Sequence, residues 1–274
     1  MTPADWERVQ TFWADTHARN EGDRVEGYAP ENDGYLKRSD VLSLRDNGSV
    51  TDEAMRVIGN RLFQQSTNMV WANSFTLERM YPLEHGGDGT KGQPLRVRQY
   101  WANISGHRAI GSVIKYVVMP HWVPGHWCLA LADFVKERIV YYDSFCGAPH
   151  AENVAFYIKI WLTSVCDADV SYTGISPMDF EVIVWKGNST IRQKRGSNAC
   201  GVCVLMMAEI LVRKGSDDFD SYGVGRSHSR WPDATVDAYR AKYALRLLTP
   251  SSEDTSTDLA AQYAELEGDE TTNM

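Results

Sequence analysis

The chain is poor in cysteine and lacks any apolar run long enough for a membrane helix. Five cysteines in 274 residues, an odd number at irregular spacing, do not make the disulfide framework that staples small secreted domains. No stretch approaches the ~20 apolar residues needed to cross a bilayer. The first residues show no basic segment followed by an apolar run, the pattern of a secretory signal. An excess of basic charge is missing as well. Lys and Arg number 28 against 36 Asp and Glu, a net charge of −8, which argues against a nucleic-acid surface. No internal repeat is visible. These absences set the expectation of a protein of a reducing compartment, cytoplasm or nucleus, with neither nucleic acid nor membrane as partner.

The acidity is local. Residues 251–274 hold seven acids (Glu253, Asp254, Asp258, Glu265, Glu267, Asp269 and Glu270) and no Lys or Arg, so the body is nearly neutral. That tail, rich also in Ser and Thr, is expected to be disordered. The remainder has the apolar and charged fractions of an ordinary globular protein. Nine tryptophans fit either a core or a rigid aromatic groove. The expected division is an N-terminal helix with a polar extension (1–44), one globular domain (45–250) and the tail (251–274).

Patterning predicts the elements. Thr2-Pro3 reads as a cap with proline at the first helical position, and Trp6, Val9 and Trp13 make the apolar stripe of a helix over 2–19. Residues 20–48 read mostly as loop. Met55, Ile58, Leu62 and Phe63 share one helical face after Thr51. A short helix is expected over 74–81, a glycine-rich loop over 82–93, and a helix over 95–104. Strands are expected at 112–119, 126–134, 138–144 and 180–185, where β-branched and aromatic runs alternate with turn residues. Between the last two, Val154, Ile158, Trp161, Leu162 and Val165 mark a helix. Polar chain follows Gly215, then a final helix over 235–248. The fold class is α+β, a small sheet packed by helices.

Cys200 is the centre of the functional reading. A polar loop ends there in a strongly apolar helix: Val202, Leu205, Met206 and Ile210 recur at helical spacing. At a helix start the unpaired N–H groups and the dipole favour an anion, so a thiol ionises more readily. Gly201 leaves room for a substrate backbone. A thiol catalyst also needs a base and a group to orient that base. His126 opens one predicted strand and Asp143 closes the next. Antiparallel pairing through a short turn at Lys136 and Glu137 places the two together. Gln193, on the loop before Cys200, is a candidate amide donor to an oxyanion. Cys128, Cys146 and Cys166 read as buried small hydrophobes.

The order His126-Trp127, Asp143-Ser144, Gln193, Cys200-Gly201 resembles that of the ubiquitin-like-protein-specific (SUMO, or sentrin) cysteine proteases. Around the nucleophile, Asn198-Ala199-Cys200-Gly201 resembles the adenovirus-type processing protease. The resemblance spans roughly 45–215 and makes 45–250 the catalytic domain. It implies a papain-like cysteine protease core with a small mixed sheet and the nucleophile at the N-terminus of a buried helix. It further implies His126 as base, Asp143 as its orienter, Gln193 in the oxyanion hole and Cys200 as nucleophile. Trp127 and Gly201 line the substrate tunnel in this reading, the indole roofing a passage that only a Gly-Gly tail fits. No metal and no cofactor are implied. The expected activity is isopeptidase or endopeptidase cleavage after the Gly-Gly end of a ubiquitin-like protein such as SUMO, through a thioester. A viral or mobile-element polyprotein-processing endopeptidase with the same residues is the second reading. The chain departs from the SUMO protease pattern in carrying Ala199 where that family has Asp. The interval from Gln193 to Cys200 is seven residues, where SUMO proteases use six. Ser49-Val50-Thr51-Asp52 also stands where they supply a further tunnel tryptophan.

Four rivals are weaker. Cys200-Gly-Val-Cys203 is a Cys-x-x-Cys, but the strand–helix context of a thioredoxin-like domain is missing. Zinc held by His121, His126 and Cys128 has no familiar ligand spacing. An acyltransferase, or a degenerate binder of ubiquitin-like proteins, would use the same residues without hydrolysis.

Overall fold

The computed structural model describes residues 1–15, 25, 36–72, 74, 94–106, 108–145, 151–185, 191–223 and 230–249. The expected helix at 75–81, the glycine-rich loop, Cys146 and the acidic tail lie outside them. The chain divides into two compact units, Met1–Ala54 with Asp237–Met274, and Met55–Val236. Among the described residues no helix is long and apolar enough to cross a membrane.

The first unit opens with α1 (Pro3–Ala14). Its start follows the capping logic: Thr2 Oγ1 accepts from the Asp5 N–H at 3.2 Å, and the Asp5 carboxylate accepts from the Thr2 N–H at 2.9 Å. The expected apolar stripe is only partly realised. Val9 is buried, Trp13 is half-buried with its indole N–H on the Val41 carbonyl, and Trp6 is 41% exposed. Within the segment read as loop, α2 (Arg38–Leu42) forms one short helix. Asp40 nucleates it, accepting from the Lys37 N–H at 2.8 Å and from Thr51 Oγ1 at 2.7 Å. Such a side-chain-held turn leaves no periodicity to read. Buried Arg240 donates to the carbonyls of Arg45 and Gly48.

The second unit holds a five-stranded sheet in the order β1-β2-β3-β4-β5. Its strands are β1 (Met69–Trp71), β2 (Tyr116–Val123), β3 (His126–Asp133), β4 (Arg138–Tyr142) and β5 (Glu181–Trp185). The outer pairs β1/β2 and β4/β5 are parallel and the central pairs antiparallel. The sheet is therefore mixed, as expected. Helix α3 (Asp52–Phe63) leads into β1, and α4 (Pro94–Ser105) and α5 (Ala151–Cys166) flank the middle of the chain. Then come α6 (Cys200–Lys214) and α7 (Ser216–Gly223), and α8 (Asp233–Leu248), which from Asp237 onward belongs to the first unit.

Strand alternation builds the core. Cys128, Ala130 and Ala132 of β3 face a cluster with Val117, Met119, Ile139 and Tyr141. Onto it α5 lays Val154, Ile158, Trp161, Leu162 and Val165, the face its periodicity predicts. Helix α6 packs against β3 without joining that cluster, which leaves it the opposite face. Every residue from Cys200 to Leu211 is buried, as expected for a helix apolar all round. Glu209, its buried acid, pairs with Arg213 at 2.7 Å. Burial of a single Leu or Ile there contributes about 1.5–3 kcal/mol, so the helix start is held rigidly.

Two hairpins set the register at the site. β2 and β3 join through Pro124-Gly125, with Gly125 at φ +79°, the residue pair a type II turn selects. β2 thus starts later than expected and runs on to Val123, pairing with His126. At the other end of β3 the turn is closed by Asp133, whose carboxylate accepts from the N–H groups of Val135 and Lys136 at 3.0 Å. The segment after Gly215, read as polar chain, forms α7. Its Asp220 pairs with Arg138 at 2.6 Å.

Candidate active site

His126 opens β3 immediately after the hairpin turn, and Asp143 directly follows β4. In the β3/β4 register Leu129 faces Tyr142, which brings Cys128 level with Asp143 and puts His126 diagonally across, on the same sheet face. The structure closes that diagonal: His126 Nε2 and Asp143 Oδ1 are 2.6 Å apart. Asp143 Oδ1 also accepts from the Phe145 N–H at 2.7 Å, which fixes the carboxylate. The Phe145 ring leans against the imidazole, tilted by 37° with ring centres 4.6 Å apart. The Nδ1 atom of His126 is buried and makes no hydrogen bond.

Cys200 is the first residue of α6. Its cap, Ala199, offers no side-chain acceptor, so the N–H groups of the first turn remain available to an anion. Burial works against the Cys200 thiolate. The His126 imidazole and the backbone N–H groups of Trp127 and Gly201 outweigh it and hold the thiol below its ordinary range. Burial likewise opposes charge on His126, yet Asp143, then the thiols of Cys128 and Cys200, push the imidazole up to about 12. The two shifts are complementary: each favours the ion pair of thiolate and imidazolium.

Gln193 is brought to the same place through a different contact. Its Oε1 accepts from Ser144 Oγ at 2.8 Å, and its backbone N–H donates to the Ser144 carbonyl at 3.2 Å. Tyr142 Oη donates to the Ile191 carbonyl and Trp231 N–H to the Arg192 carbonyl, which pins the loop beside the end of β4. The amide nitrogen of Gln193 is buried with no hydrogen-bond partner. A buried donor left open costs about 1–3 kcal/mol, a cost that an arriving oxyanion removes.

Trp127 is 3% exposed. Its indole lies within the protein, and the residue reaches Cys200 through its backbone N–H. Gly201 does the same from α6. The sequence assigns no part in this neighbourhood to Phe145 or Ser144, and brings Cys128 beside His126 only in the weaker zinc reading. Ser144 carried a signal in its place after Asp143, one strand position from the Gln193 loop, but a serine after a strand commonly just ends it. Of the three residues of the weaker zinc reading, His121 lies outside the cluster formed by His126, Cys128 and Asp143.

A cysteine at a buried helix start, a histidine on the neighbouring strand and a carboxylate behind it constitute a thiol-protease arrangement. A sequence profile of the Ulp1 protease family, C-terminal catalytic domain, matches residues 96–253, more than half of the chain and the stretch that contains His126, Asp143, Gln193 and Cys200. The chain belongs to the Ulp1 protease family. It is therefore a cysteine-type peptidase, with the α+β, papain-like fold of that catalytic domain. Among solved structures it is similar to the SUMO protease Ulp1 with its catalytic cysteine oxidised to a sulfinic acid, at TM-score 0.66 and 16% identity over 90% of this chain and 95% of that one. The C-terminal Ulp1 protease domain in complex with Smt3, the yeast ortholog of SUMO, aligns at TM-score 0.63 and 20% identity over the same shares. The Ulp1-like SUMO protease catalytic domain of Chaetomium thermophilum gives 0.59 and 17% over 90% of this chain and 89% of that one. At such identities these structures establish the shared fold. No curated protein matches the sequence.

Proposed function

We propose that this Ulp1-family peptidase hydrolyses the bond after the C-terminal Gly-Gly of a ubiquitin-like protein of the SUMO type, with Cys200, His126, Asp143 and Gln193 as its catalytic set. The observation that carries the reading is the pairing of buried Cys200 with half-buried His126, with Asp143 2.6 Å behind the imidazole. SUMO enters because the structures of similar fold include SUMO proteases, one of them bound to Smt3.

In this mechanism the Cys200 thiolate attacks the carbonyl after Gly-Gly. The negative charge that develops on oxygen is met by the Cys200 N–H and the open amide nitrogen of Gln193. His126 gives its proton to the leaving amine, and a thioester to Cys200 forms. A water molecule, deprotonated by His126, then attacks the thioester and releases the C-terminal carboxylate. Asp143 keeps the imidazole oriented and stabilises its charged form throughout. Gly201 gives the substrate backbone room beside the thiol, and Trp127, its indole buried, contributes its backbone N–H beside Cys200.

The test is labelling by a panel of ubiquitin-like proteins carrying a C-terminal electrophile, with Cys200→Ala as control. A Cys200-dependent adduct with SUMO supports the reading; an adduct with another relative alone changes the substrate. Failure of every probe while iodoacetamide still alkylates Cys200 would overturn the substrate class in favour of a processing endopeptidase acting on a polyprotein.

A further inference from the structure

Among the described residues, Cys128 is a nucleophilic group at this site that the reaction does not use. It stands on β3 two residues after His126, on the same face, level with Asp143, and only 2% exposed. One ligand atom from each of His126, Cys128 and Asp143 lies within 4.8 Å of the other two. We propose that these three side chains form a site for a zinc ion, and that zinc bound there holds the protease inactive.

The chemistry of the donor set selects the metal. A thiolate, an imidazole and a carboxylate are three ligands that zinc takes tetrahedrally, at about 2.0–2.3 Å. Three ligands at those lengths stand ~3.3–3.8 Å apart, so the set closes on an ion with shifts of an ångström or less at each side chain. His126 offers Nε2, the nitrogen that already faces Asp143 Oδ1 at 2.6 Å, so the ion takes the place of the proton between them. The backbone around the three is stiff, with Cys128 inside a paired strand and Asp143 fixed by the Phe145 N–H. The fourth position stays open to water. Binding replaces the Cys128 thiol proton by the metal, and a charged His126 gives up its proton likewise; both leave to solvent.

Inhibition follows from the shared ligand and rests on the protease reading above; zinc binding does not. An imidazole whose Nε2 is on zinc cannot become the imidazolium that stabilises the Cys200 thiolate and protonates a leaving amine. Cys128 is what distinguishes this site from the catalytic pair alone, because it supplies the sulfur without occupying the nucleophile.

The experiment titrates zinc chloride alone into the metal-free full chain against a fluorescent chelator. The parent, Cys128→Ala, Cys128→Ser and Cys200→Ala are compared after each is shown folded by circular dichroism. In parallel, alkylation of Cys200 by iodoacetamide is followed by mass spectrometry with and without zinc. The expected result is one zinc per chain, an affinity weakened at least about tenfold in both Cys128 variants, and parent-like affinity in Cys200→Ala. Zinc slows alkylation of Cys200 in the parent and not in Cys128→Ala at the same concentration. Parent-like affinity in both Cys128 variants, or loss of affinity in Cys200→Ala, overturns the site by placing the ion on the catalytic pair. Absence of zinc binding to the parent overturns it outright. If the protease reading fails instead, the electrophile probes give no adduct while the zinc titration keeps its expected pattern.

Discussion

The two ends of the β3–β4 hairpin carry the same electrostatic motif and put it to different use. At one end Asp133, fully buried, faces Arg138 at 3.2 Å, and Asp220 closes on Arg138 from α7 at 2.6 Å. At the other end Asp143, 3% exposed, faces His126 at 2.6 Å. Both are buried carboxylates with a cation beside them. In the first pair the cation is a guanidinium that never loses its proton, and Asp133 also accepts two turn N–H groups, so every partner is spent on the fold. In the second the cation is an imidazole that can lose its proton, one of its nitrogens is open, and a thiol stands next to it. Charge burial alone therefore marks no active site; a transferable proton beside an unspent atom does.

Substitutions that break this contrast have graded consequences. Cys200→Ala removes the nucleophile and takes turnover below detection, a loss on the order of 10⁴–10⁶-fold in kcat. The variant keeps its circular dichroism and its binding of substrate. Asp143→Asn leaves the hydrogen-bonding shape but removes the charge, and kcat falls by about 10²–10⁴-fold. Burial already opposes charge on His126, so without Asp143 its pKa drops and the alkaline limb of the activity profile moves to lower pH. The thiolate loses part of its counter-charge, so the acid limb moves to higher pH and the bell narrows from both sides. A pH–rate profile with unchanged limbs would contradict the assignment of Asp143.

Gln193→Ala removes the open amide donor and lowers kcat by about 10²–10³-fold with little change in KM. Asp133→Asn inverts the pattern. It leaves Arg138 with one partner fewer and costs about 3–5 kcal/mol in stability by denaturant unfolding, while the folded fraction alkylates Cys200 at the parent rate. Ser144→Ala, which only frees the Gln193 carbonyl oxygen, has the smallest effect, about fivefold in kcat for a hydrogen bond worth ~1 kcal/mol. Steady-state kinetics with a fluorogenic ubiquitin-like substrate separates these last two.

Where the pattern was local, the sequence was sufficient. Strands β3, β4 and β5 and helices α5 and α6 are runs whose period and caps are written in consecutive residues. β1 was not legible, because three residues carry no period and it exists by parallel pairing with β2, distant in sequence. Helix α2 depends on one aspartate reaching back to a backbone N–H. Trp6 shows the converse: its position in a helical stripe did not bury it, since a stripe wider than its partner surface leaves one member in solvent.

The site divides along the same line. The residue types and their order along the chain, His126, Asp143, Gln193 and Cys200, together with the apolar run that makes α6 a buried helix, are properties of the sequence alone. They suffice to name the chemistry, because a thiol, a base, an acid and an amide donor have few other joint uses. Tertiary structure alone decided which atoms meet. It set Asp143 against Nε2 and not Nδ1, tied Gln193 to Ser144 so that its nitrogen stays open, turned the Trp127 indole inward, and placed Cys128 among the catalytic groups. Each of these follows from strand register and hairpin geometry, where a shift of one residue sends a side chain to the other face of the sheet.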